Sequence, residues 1–128
     1  EPLLELAHSL ESIARQLAAS DVDAAAVSIN ALLARHSAHP HLAKESGRWT
    51  LHHHPPDAAL VPMWTAICAD ALARVIGDDR VERVGVCASD DCARIFVDES
   101  KNTSKRYCST RCQNRAKASA FRARRRRS

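Results

Sequence analysis

The sequence predicts an α+β chain in two parts, a small all-α domain over residues 1–79 and a β-hairpin followed by a basic helix over residues 80–128. Three observations carry this. Apolar residues recur at spacings of three and four through most of the first part, the period of an amphipathic helix. Four cysteines stand close together in the second, Cys87-x4-Cys92 and then Cys108-x3-Cys112. Charge also changes sign along the chain. From Lys101 onward there are 11 basic residues and no acidic one, which leaves 8 of the 19 basic side chains against all 15 acidic ones upstream, a charge of −7 facing +11. At 128 residues with 45% hydrophobic content, a modest core and one small accessory module fit the chain.

The first helix starts at Pro2, which has no amide hydrogen to waste at a first helical position, and follows Leu3, Leu6, Leu10, Ile13 and Leu17. Ser20 and Asp23 form a capping-box-like pair ahead of a second helix carrying Val22, Ala26, Ile29 and Leu33 and ending near Arg35. Residues 36–48 are polar, with Pro40 and Gly47 as breakers, and predict a loop; residues 49–53 predict a short extended segment. Leu60, Trp64, Ile67, Cys68, Ala71, Leu72, Val75 and Ile76 trace a broad apolar face that predicts a buried third helix ending at Gly77, with Pro62 in its first turn. Residues 80–86 alternate like a strand, residues 87–92 form a knuckle, and residues 95–97 return as a second strand. A polar basic loop follows, and a helix beginning near Ser109 or Thr110 runs into the arginine tail.

Two close cysteine pairs on a hairpin-sized spacer suit a tetrahedral metal site, because thiolates must converge at about 2.3 Å on one zinc ion. The competing readings are two disulfides, which need an oxidising compartment that no feature of the sequence marks, and free buried thiols. With Cys87, Cys92, Cys108 and Cys112 as ligands, the tetrahedral shell is full, so the expected ion is one structural Zn2+ with no position for an activated water. A hairpin giving two thiolates and a helix start giving two more is a treble-clef-like arrangement, in which the positive helix end favours thiolates. Cys68 stands alone in an apolar pattern and is read as a small core residue.

The run Cys87-ASDD-Cys92-ARIFVDESKNTSKRY-Cys108-STR-Cys112-Gln113-Asn114-Arg115-Ala116-Lys117 resembles the CGNR zinc-finger domain of bacterial regulators. The preceding helices, including Leu32-Leu33-Ala34-Arg35 and the Trp49-Thr50-Leu51 segment, resemble the helical ABATE domain that accompanies this finger. There are two departures. Gln113 stands where the family has a glycine, and the family's N-terminal aromatic-Val-Asn segment is absent, which implies an N-terminally incomplete chain. The resemblance implies a bacterial, cytoplasmic transcriptional regulator that is nucleoid-associated when bound to DNA, with a helical domain that senses a small-molecule effector or forms a homodimer.

The residues point the same way. On a helical wheel Arg111, Arg115, Arg122 and Arg126 fall within about 60° of one another and predict a basic stripe. Lys101, Lys105 and Arg106 on the preceding loop extend it, with Asn102, Thr103 and Ser104 as neutral phosphate donors and Lys117 as a further cation. Arg111, Gln113, Asn114 and Arg115 near the helix start are the candidates for reading base edges. The expected partner is DNA; the alternative is a zinc-stabilised module that binds RNA or an acidic protein. No uninterrupted apolar run reaches the roughly eighteen residues of a membrane helix, so no membrane partner is expected. His52 and His54 would share one face of an extended segment, where they could line a ligand pocket or a second metal site, or simply be surface histidines. With neither a phosphate loop nor a nucleophile motif, an enzyme is not expected.

Overall fold

The computed structural model describes residues 1–36 and 39–127. Four helices and two small antiparallel hairpins follow one another as α1 (Pro2–Ala18), α2 (Val22–Arg35), β1 (His41–Glu45), β2 (Arg48–His52), α3 (Leu60–Gly77), β3 (Val84–Val86), β4 (Ile95–Val97) and α4 (Thr110–Arg127). The class is α+β, as expected.

α1 opens on Pro2 and buries Leu6, Ile13 and Leu17 on one stripe, while Arg15 pairs with Glu11 one turn back on the wet side at 2.6 Å. Ser20 then takes a left-handed backbone (φ 60°), and its amide and that of Asp21 return to Leu17 and Gln16 carbonyls, which closes the helix. Ser20 is therefore spent as a stop. The N-cap of α2 is Asp21, whose Oδ1 accepts the Ala24 amide at 3.3 Å, in place of the expected Ser20–Asp23 box.

The segment expected as a loop differs most. Residues 37 and 38 lie outside the described residues, but His41–Glu45 forms a strand paired with Arg48–His52, with His41 opposite His52 and Glu45 opposite Arg48. Ser46 and Gly47, both at positive φ (48° and 81°), make the two-residue turn whose twist matches a hairpin. The expected extended segment is its second strand.

α3 also departs from expectation. It buries Thr65, Ala66 and Ala69, and leaves Leu60, Trp64 and Ile67 outward. The two alanines let neighbouring backbones approach closely, and only the C-terminal large residues Leu72, Val75 and Ile76 pack, partly buried, against the same core. Buried Thr65 satisfies its hydroxyl on the Val61 carbonyl at 2.7 Å. At 18 residues and a mean hydropathy of 1.4, α3 is the one helix among the described residues long and apolar enough to cross a membrane. It nonetheless contributes Ala69 to a core shared with α1 and α2.

That core joins Ile13 and Leu17 of α1, Ala25, Ile29 and Leu32 of α2, Ala69 of α3 and Val84 of β3, with Val81 and Ile95 packed against it. Apolar packing thus runs across residue 80 into the hairpin. The strand expected over residues 80–86 is shorter: residues 81–83 form one 3-10 turn, and only Val84–Val86 pairs with Ile95–Val97. Arg15 extends the same junction, donating to the Ala93 carbonyl at 3.3 Å.

Candidate metal centre

β3 delivers Cys87 to the end of the hairpin, where its amide donates to the Arg94 carbonyl at 2.8 Å and the Cys92 amide to the Ser89 carbonyl at 3.0 Å, closing the knuckle. The second pair arrives with α4. Ser109 caps this helix, its hydroxyl accepting the Cys112 amide at 3.2 Å, so Cys112 is held in the first turn and points inward. The ligand atoms of Cys87, Cys92, Cys108 and Cys112 all lie within 4.8 Å of one another. The Cys92–Cys108 and Cys108–Cys112 sulfur separations are both 3.7 Å. Four sulfurs placed about 2.3 Å from one zinc stand about 3.8 Å apart along a tetrahedron's edge. The residues present therefore fit one zinc ion. No disulfide joins the described cysteines: bonded sulfurs sit about 2.05 Å apart, and all five are free.

Electrostatics in the cluster favour a cation. The Cys87 thiol feels burial, which pushes it up, but the amides of Cys108 and Ser89 and the neighbouring thiols more than offset this and bring it down to about 7. Its sulfur accepts the Cys108 amide at 3.3 Å. Cys108 is pushed up to about 11 by burial and by the neighbouring Cys112 thiol. Metal binding requires thiolates, so zinc uptake at this site releases protons. Cys68, on α3, is half-buried and remote from this chemistry, its thiol pushed up by burial.

The loop between the hairpin and α4 is organised by Asp98, a residue that charge counting passes over. Its buried carboxylate accepts the Ser100 hydroxyl at 2.5 Å and the Ser100 amide at 2.8 Å, and its other oxygen takes the Lys105 amide at 2.9 Å. The Ser100 hydroxyl bond, with these amides and the nearby Arg83 guanidinium, holds the carboxyl below the usual range. Arg83 also ties the loop, donating to the Asp98 and Ser100 carbonyls at 2.8 and 2.9 Å. The sequence signal for all this is the Asp-x-Ser spacing, which favours side chain to backbone bonds.

The candidate nucleic-acid residues are distributed unevenly on this frame. Lys101, Asn102, Thr103, Ser104, Lys105 and Arg106 are exposed on the loop, with Thr103 at φ 50°. The Lys105 ammonium lies 5.3 Å from the centre of the Phe96 ring, and the Arg106 guanidinium 5.9 Å from that of Tyr107. Ser104, Lys105 and Arg106 line a cleft of about 490 Å3 with Ser109, Thr110 and Gln113. Arg111, Gln113, Asn114, Lys117, Arg122 and Arg126 are exposed along α4. Arg115 is committed elsewhere: its guanidinium bonds the Asp91 carboxylate of the knuckle at 2.5 Å.

The histidines form a cluster of a different kind. The His52 ring lies 5.5 Å from His41 across the β1–β2 pair and 5.3 Å from His54, and its Nε2 is 3.1 Å from the Glu45 carboxylate. His53 faces Asp70 of α3 at 3.5 Å. Among the described residues, only the four cysteines bring three or more ligand atoms to one point, so the histidines form no second metal cluster as placed.

Compared with known proteins, residues 83–125 match the family model of the CGNR zinc finger, about a third of the chain. The match contains all four cysteines, both finger strands and most of α4. No curated protein matches the chain.

Proposed function

We propose that the chain, whose residues 83–125 match the CGNR zinc finger, is a zinc-dependent DNA-binding protein that regulates transcription, contacting DNA through the finger, its basic loop and the arginine-rich helix. The observation that carries this reading is the junction at Cys112. One residue is at once a ligand of the four-sulfur site and the first turn of a helix that goes on to carry seven further basic side chains. A metal there fixes the direction in which a dense positive charge leaves the body, which is what a phosphate backbone needs from a rigid partner. Bound zinc supplies structure, and four thiolates leave it no open position, so binding rather than catalysis is the proposed role.

In this reading the helical body serves as sensor or dimerisation element. Support for the sensor role is a groove of about 470 Å3 between α1 and α2, lined by His8, Ser12, Ser28 and Arg35 among others, large enough for a small polar effector. The setting would be a bacterial cytoplasm, as the resemblance implies.

Titration of duplex binding against salt tests the proposal. Each phosphate neutralised lowers the slope of log K against log salt by about 0.9. A slope of about −4 or steeper on duplex DNA is expected. A slope near zero, with retained affinity for an acidic polypeptide, would replace DNA by an acidic protein as the partner, and preference for RNA would replace it by RNA.

A further inference from the structure

The two long sides of α4 differ in charge. On one side, a cleft of about 440 Å3 between α4 and the knuckle places Arg115 and Arg122 against Asp90 and Asp91, so the charges cancel, and the Arg115 guanidinium is bonded to Asp91. On the other side, the cleft formed by the loop and the start of α4 has Lys105, Arg106, Thr110 and Gln113 on its walls and no carboxylate among its lining residues. Asp98, under the loop, is buried with both oxygens occupied by Ser100 and the Lys105 amide, and Glu99, exposed beside Ser100, is not among the cleft's lining residues. At 100° per residue, Gln113 and Lys117 point about 160° away from Arg115.

We infer that the finger is one-sided: the Lys105–Arg106 cleft and the Gln113–Lys117 side of α4 form the surface for a nucleic-acid phosphate backbone, while Arg115 is a positioning residue that locks α4 to the zinc knuckle through Asp91. The surface half rests on the DNA-binding reading above; the positioning half does not. The two cations, the hydroxyls of Ser104 and Thr110 among others, and a carboxamide around a cleft with no carboxylate in its lining match a phosphodiester, whereas on the knuckle side a phosphate would have to displace Asp91 from Arg115 and lie against Asp90. Arg115 spans 24 positions from Asp91. The contact joins the element bearing Cys92 to the one bearing Cys112, so it braces the two halves of the metal site in the way outer-shell partners hold metal ligands in place.

The experiment uses the full zinc-loaded chain with two readouts, duplex affinity across a salt series and the rate of zinc transfer to a colorimetric chelator. For K105Q/R106Q, the salt slope is expected to flatten by about 1.8, the value for two lost phosphate contacts, with zinc transfer unchanged. For R115Q, the slope should stay as in the parent while zinc transfer accelerates severalfold, and the reversed pair D91R/R115D should bring the rate back toward the parent. An R115Q protein with unchanged zinc transfer and a slope flatter by about 0.9 would overturn the positioning role and make Arg115 a phosphate contact. An unchanged slope in K105Q/R106Q would overturn the cleft. If the parent binds no nucleic acid, the DNA reading and the cleft fall together, and zinc transfer in R115Q and D91R/R115D still decides the role of Arg115.

Discussion

Phe96 lies against Gly85 across the β3–β4 pair so closely that a Cβ at position 85 would stand 2.9 Å from the ring's Cζ. The Lys105 ammonium lies over the same ring, 5.3 Å from its centre. A missing side chain on one strand thus sets the depth of an aromatic ring on the next, and that ring seats a cation of the basic loop.

Gly85→Ala should therefore destabilise the finger by about 1–3 kcal/mol, the usual cost of overpacking a site whose neighbour is a rigid ring. Thermal unfolding of the zinc-loaded protein measures it. A melting temperature equal to the parent's would show that Phe96 does not depend on the bare backbone at 85.

Asp98 should make loop order sensitive to acid. Its folded-state pKa is depressed, chiefly by the Ser100 hydroxyl bond, so its contribution is present above the unfolded value of about 3.9 and is lost as pH falls through the lower folded value. Asp98→Asn should lower the melting temperature at pH 7, and the gap to the parent should narrow as pH drops below about 4. A gap that is constant with pH would mean that the carboxylate's charge plays no part.

Val84 couples the finger to the helices, being buried in the same cluster as Leu17, Ile29 and Ala69. Val84→Ala removes two carbons from that cluster and should cost on the order of 1.5–3 kcal/mol. The expected signature is a single unfolding transition that moves for probes in both parts of the chain. Loss confined to finger probes would show that the two parts unfold independently.

What could be read in the sequence was whatever depends on local period and spacing. α1, α2 and α4 repeat their apolar or basic positions over three or more turns, and the cysteine pairs declare their turns by spacing alone. β1 was not legible, because His41-Leu-Ala-Lys-Glu has neither alternation nor β-branched residues, and only the Ser46-Gly47 turn and the partner strand make it one. The exposure of Trp64 and Ile67 was hidden for a related reason: periodicity marks an apolar stripe but not which part of it a neighbour covers. Arg115 shows the limit for sites. A helical wheel groups it with Arg111, Arg122 and Arg126 by charge, and nothing local reveals that Asp91 waits for it across the knuckle.

The most direct test is duplex affinity by fluorescence anisotropy on the same protein sample zinc-loaded, stripped with a chelator, and reloaded. Zinc binding on this scale can contribute on the order of 10 kcal/mol to ordering a small module. Stripping should abolish most of the affinity, together with part of the helical circular dichroism signal from α4, and reloading should restore both. Undiminished DNA affinity in the zinc-free protein would contradict a metal that fixes the pose of the basic helix.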